Sequence, residues 1–167
     1  MLRLSQLPYP GFVAESGASS TGVISNKAAA AGEGSVLRQF RAQGRLSAYI
    51  ATFARQVSPQ EVVGPVVIAS SAVIYRSASG AALGFAQEKQ NLTRSGWVQV
   101  STGQLGEQAA AFTETKALDQ TEYQSFVLEW RQANVNNQVR IAGNAATLDL
   151  NYGLTLARVQ QRAEVHS

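Results

Sequence analysis

At 167 residues the chain has the length of one ordinary domain, able to bury roughly 70% of its unfolded surface around a single core. Its apolar fraction of 45% is typical, but its charged fraction of 15% is well below the usual share of about 25%, so solubility rests on Gln, Asn, Ser and Thr. The net charge of +3, from 14 basic and 11 acidic residues, demands no nucleic acid partner, and the absence of cysteine excludes disulfides, thiolate nucleophiles, Cys-ligated zinc and iron–sulfur clusters.

Residues 1–34 read as an arm, rich in small residues and glycine from Ser16 onward. Its exception is Leu7-Pro8-Tyr9-Pro10-Gly11-Phe12, where two prolines stiffen the backbone beside two aromatics that gain from burial. That stretch is expected to tuck against the body, and Lys27 to Ala31 has the alanine content for one or two helical turns. The body, residues 35–167, opens with a segment whose apolar residues fit both helical and alternating spacing. Gly44 divides it, and the β-favouring residues that follow predict a strand over Arg45–Ala54. Gln56–Pro65, with Pro59 and Gly64, is a loop. Val66–Arg76 is the clearest strand, with Val67, Ala69, Val73 and Tyr75 on one face and Ile68, Ala72 and Ile74 on the other, so both faces are expected to be at least partly covered.

Ser77 is a natural N-cap for an amphipathic helix running to Asn91 and including Ala81, Phe85 and Lys89. Trp97–Val100 and Gly106–Lys116 read as strands, the second closed by a turn at Asp119 or Gln120. In Tyr123–Gln132, Phe126, Leu128 and Trp130 share an inward face, while Val127, Glu129 and Arg131 share a face read as solvent-exposed. Asn134–Asn137 supplies turn residues, and Gln138–Gly143 returns as a strand with Val139 and Ile141 inward. Thr147–Glu164 is a helix with a wide apolar stripe, within which Gly153 costs about 1 kcal/mol against Ala and marks close packing. The order predicts an α+β fold: an antiparallel β-sheet of about five to six strands, two main helices packed on one of its faces, and an extended N-terminal arm.

The residues that carry chemistry are few. The sole histidine, His166, stands beside the last residue, where no buried partner fixes its tautomer, and reads as a tail residue. With no second His, a transition-metal site would need carboxylates alone, and the acidic residues form no DxDxD run or EF-hand loop. No Ser stands three residues before a Lys, as a Ser–Lys hydrolase requires. Gly17–Gly22 and Gly80–Gly84 match no phosphate-binding fingerprint and read as a flexible arm and a small-residue helix face. No cofactor, metal or catalytic residue is expected. An acid–base enzyme would need two of Glu114, Glu129 and Asp149 to converge in a cleft, and for Glu129 a surface ion pair is the ordinary explanation. Arg38, Arg41 and Arg45 around Phe40 form the densest basic cluster, too small for a nucleic acid surface and read as a solvated element start. The aromatics are expected mainly in the core, with Tyr9, Phe12, Tyr49, Tyr75, Trp97 and Trp130 as candidates for an apolar pocket or an interface.

The phrases LGEQAAAF at Leu105–Phe112, EWRQANVNNQVRIAG at Glu129–Gly143, LTLARVQQR at Leu154–Arg162 and LPYPGF near the start resemble uncharacterised bacterial exported or lipoprotein-type domains, and are similar to the extracellular sensor domains of bacterial serine/threonine kinases. The resemblance implies a bacterial protein working outside the cytoplasm. It carries over no functional residue, and the chain departs from those often disulfide-bonded domains in having no Cys. The start, MLRLSQLPYPGF, lacks the continuous apolar segment of a signal peptide, so an exported form would begin after a removed signal. No apolar run reaches the roughly 18 residues that span a bilayer.

The leading expectation is a non-catalytic binding or interaction module whose partner is a protein or an apolar small molecule. A self-assembling subunit using its arm to dock on neighbouring copies is the second, and a carboxylate-based acid/base enzyme the third.

Overall fold

The computed structural model describes residues 2–7, 9–16, 20–56, 63–118 and 121–165, without the side chains of 118, 164 and 165. Pro59, the turn expected at Asp119 or Gln120, and His166 lie outside the described residues. After a short 3-10 turn at Leu4–Gln6, the chain runs β1 (Phe12–Ala14), β2 (Thr21–Ser25), α1 (Asn26–Ala29), α2 (Gly34–Ala42), β3 (Arg45–Arg55) and β4 (Pro65–Tyr75). It continues with α3 (Ala78–Arg94), β5 (Val98–Val100), β6 (Gln108–Leu118), β7 (Thr121–Gln132), β8 (Val135–Asn144) and α4 (Leu150–Val165).

The eight strands form one antiparallel sheet in the order β1-β3-β4-β8-β7-β6-β5, with β2 sharing the outer edge of β3 beside β1. The α+β class holds, but eight strands replace the expected five to six. The additional ones include β1 and β2, short pieces of the arm that pair with β3 through registers such as Phe12↔Arg55 and Val23↔Tyr49. Strands of three and five residues are too short to show in a pattern search, and an edge strand that buries little needs no strong alternation.

Local signals explain most boundaries. Gly44 adopts φ 69° after the last turn of α2, the left-handed position that ends a helix, and releases the chain into β3. Ser77 Oγ accepts from Gly80 N at 3.1 Å and so caps α3 as expected. The β7–β8 turn is tighter than expected, with Gln132 opposite Val135 and Ala133 at φ 50°, so Asn136 and Asn137 are strand residues. Both point at helices: Asn136 Nδ2 donates to the Ala81 carbonyl, and Asn137 Oδ1 accepts from Gln160 Nε2.

The two main helices lie on opposite faces of the sheet, which corrects the expectation of one covered face. The chain leaves β4, crosses α3 over β8, β7 and β6, and enters β5 at the far edge. Four strand spacings are about 19 Å, and the 17 residues of α3 reach about 25 Å, so one helix makes the crossing. After β5 to β8 return as a meander, α4 closes the other face. Leu156 and Ala157 of α4 pack with Ile68, Phe126, Leu128, Trp130, Val139 and Ile141, and Leu2, Phe12 and Leu105 extend this core. Gly153 permits the contact, since a Cβ there would stand 2.4 Å from Leu128 Cδ1. On the opposite face Phe85 packs with Trp97, Ala110, Phe112 and Val127 in a smaller cluster. Val127 and Glu129, read as solvent-facing from sequence, are therefore buried under α3, at 2% and 4% exposure.

Candidate ligand pocket between α2 and α3

On β4, Ile68 and Ser70 face α4, so strand alternation turns Ser71, Val73 and Tyr75 towards the opposite side. There α3 covers the end nearest β7 and β8, and α2 approaches from β3. The stretch of β4 between them presents Ser71 and Val73, side chains too small to fill the gap, and a cavity of about 420 Å³ remains. Phe85, Val36, Phe40 and Val73 give it apolar walls, Glu129, Asn136 and Gln138 form a polar floor, and Glu88 and Arg45 flank it.

The floor depends on two glycines one helical turn apart. A Cβ at Gly80 would stand 2.1 Å from the Gln43 carbonyl oxygen, and one at Gly84 would stand 2.1 Å from the Tyr75 hydroxyl oxygen. Any larger residue would lift α3 from β4 and the end of α2. The small-residue helix face read at Gly80–Gly84 is this seat.

Glu129 is the group the packing does not account for. Its Oε1 accepts from Gln138 Nε2 at 2.8 Å, while Oε2 has no hydrogen-bond partner among the described residues. Burial, reinforced by the neighbouring Glu88, pushes its carboxyl up to about 8, against the opposing pull of the Gln138 hydrogen bond and Lys89. At neutral pH the side chain is then mostly the neutral acid. The Asn136 side chain, on the same floor, gives its Nδ2 to the Ala81 carbonyl and lies against the Tyr75 hydroxyl. Tyr75 is held above its ordinary pKa, first by burial. Arg45 stacks over the Phe40 ring at 4.5 Å and donates to Asn26 Oδ1, and burial lowers its pKa. It is a buried wall residue, so of the basic cluster read around Phe40 only Arg38 and Arg41 keep the solvated character expected of it.

The three carboxylates named for an acid–base reading stay apart. Glu114 shares the α3 side of the sheet but pairs with Lys116 at 3.0 Å, and it stands four residues along β6 from Ala110, the partner of Glu129, or about 13 Å. Asp149 lies at the start of α4, where its Oδ1 accepts from Asn151 N at 2.7 Å.

The six candidate aromatics also scatter. Tyr75 lines the pocket. Trp97 is buried in the α3 cluster under the Arg140 guanidinium, 5.1 Å from its ring. Trp130 is fully buried in the α4 core. Phe12 is buried beneath Arg55, and Tyr9 packs on the same core with its ring 5.3 Å from that of Tyr152. Tyr49, 38% exposed, lines a second, shallower and mostly apolar depression with Ile24, Ala48 and Ile50. Sequence reasoning named Glu129 only among three carboxylates and Phe40 only within the basic cluster, and missed that the two meet Asn136 and Gln138 in a pocket. The one available signal was a carboxylate alternating with Val127 in a strand whose other face is apolar from Phe126 to Trp130.

These features define an antiparallel sheet sandwiched between helices, with a mixed-polarity pocket on one side. The fold is similar to that of the extracellular domain of PknH from Mycobacterium tuberculosis, with a TM-score of 0.59 over 95% of this chain and 90% of that one, at 12% identity. PknH is a serine/threonine kinase, so the resemblance read from the sequence is borne out at the level of the fold. No protein-family model matches the sequence, and no curated protein matches it.

Proposed function

We propose that this chain is a non-catalytic binding module of a bacterial protein, working outside the cytoplasm, and that its site is the pocket between α2 and α3. The observation that carries the reading is Glu129, which lines a cavity of about 420 Å³ and whose buried Oε2 has no hydrogen-bond partner among the described residues. A carboxyl left without a partner in a core costs more than the apolar residue that could replace it, so its presence beside a cavity is the signature of a ligand that completes it. The apolar walls set the ligand's character: a small molecule with an apolar body and one polar end. The fold shared with an extracellular kinase domain is consistent with this role. The described arm supports the same reading over self-assembly, since β1 and β2 pair with β3 of their own chain.

The test is the fluorescence of N-phenyl-1-naphthylamine, an apolar dye that fits a cavity of this size. Saturable enhancement is expected with the wild-type protein and its loss in Val36→Trp, which fills the mouth from α2, at an unchanged melting temperature. A wild-type protein that gives no saturable signal, or a variant that binds equally well, would overturn the assignment.

A further inference from the structure

Resting on that pocket, we infer that its ligand carries a primary ammonium group, seated on the floor with an N–H donor directed at Glu129 Oε2. That oxygen is buried, has no hydrogen-bond partner among the described residues, belongs to a residue lining the cavity, and becomes an acceptor once the carboxyl ionises. The amide donors on the floor already have partners: Gln138 Nε2 is given to Glu129 Oε1, and Asn136 Nδ2 to the Ala81 carbonyl. An anionic head would face Glu88 in the pocket lining. A divalent metal would need further ligands, and among the described residues no three His, Cys, Asp or Glu gather to hold one. An ammonium ion supplies three donors from one atom, enough for Glu129 Oε2 with two left for water.

The surrounding charges favour the same head group. Glu88 of α3 lines the pocket. The cations nearby are engaged or opposed: Lys89 of α3 pulls the Glu129 carboxyl down but is outweighed by burial and Glu88, and Arg45 of β3 is held by Phe40 and Asn26. Along the same face Arg131 of β7 pairs with Glu107 at 2.7 Å, and Arg140 of β8 stacks on Trp97. Tyr75 of β4 stays protonated. With Glu129 neutral in the empty pocket, seating an ammonium ion makes the carboxylate the favoured form, and the Oε2 proton leaves to solvent while the ligand keeps its own.

The experiment is isothermal titration calorimetry of the full chain with n-hexylamine hydrochloride and with 1-hexanol, at about pH 7 in two buffers of different ionisation enthalpy. Hexylammonium is expected to bind about tenfold tighter than hexanol or better, with close to one proton released per ligand. Glu129→Gln, its folding checked by a cooperative melt, is expected to lose both the preference and the proton release. Equal or tighter binding of hexanol, or no proton released, in a protein that still takes up the naphthylamine dye would overturn the ammonium assignment and leave the pocket standing. Failure of the dye and both hexyl compounds would overturn the pocket itself.

Discussion

On the α4 face of the sheet, buried polar groups answer one another. Ser70 Oγ accepts from Leu2 N at 3.3 Å and donates to Gln160 Oε1 at 2.6 Å, and Gln160 Nε2 reaches Asn137 Oδ1 and the Ser71 carbonyl, each at 3.2 Å. Around this network the apolar core is continuous from Phe12 to Leu156. On the α3 face Glu129 Oε2 is as deeply buried but unanswered among the described residues, and Glu129 lines a cavity. Trp130 Nε1, without a partner among the described residues, belongs to a side chain that lines neither pocket and reads as a cost of seating a large ring in the core. The contrast separates what holds the fold from what is left open for a ligand: an unmet polar atom means little when sealed in a core, and much when space to meet it lies alongside.

Three substitutions sharpen that contrast. Leu156→Ala removes a fully buried side chain from the α4 core and is expected to cost about 2–5 kcal/mol in urea unfolding. A loss below about 1 kcal/mol would show that the α4 face is not the structural one. Glu129→Gln should act in the opposite direction and depend on pH. The folded carboxyl titrates at about 8 against an ordinary 4.5, so the folded protein holds a proton that the unfolded chain gives up between those values. Wild-type stability must therefore fall as pH rises through that window and level off above it. The glutamine variant lacks this loss, so it should match wild type near pH 4 and exceed it near pH 9 by something of the order of 3 kcal/mol. A difference that does not change with pH would mean that Glu129 is charged in the folded protein. Gly80→Ala, whose Cβ meets the Gln43 carbonyl, should cost about 1–3 kcal/mol and weaken dye binding as α3 shifts. The stability loss without any change in dye affinity would detach the helix seat from the pocket.

Much of the scaffold was legible because its signals are local. Ser77 capped the helix it was expected to cap, Gly153 marked close packing, and the alternation of Val66–Arg76 found β4. What stayed hidden depended on contacts distant in sequence. β1 and β2 are strands only because β3 offers them an edge. α2 was obscured because its residues fit two periods at once. Asn136 and Asn137 looked like turn residues because their value in a strand comes from helices 55 and 23 residues away in the chain. Glu129 looked solvent-facing for the same reason: a polar residue alternating with apolar ones implies water on its side, unless a crossing helix takes the water's place. The pocket exists only in that crossing, between two helices whose relation no window of sequence contains.

The most direct measurement of the central claim is a carbon-13 NMR titration of the Glu129 side-chain carboxyl, without and with hexylammonium. The structure predicts a midpoint at about 8 in the empty protein, moving downward when the amine is bound. A midpoint in the ordinary carboxylate range under both conditions, indifferent to the amine, would contradict it.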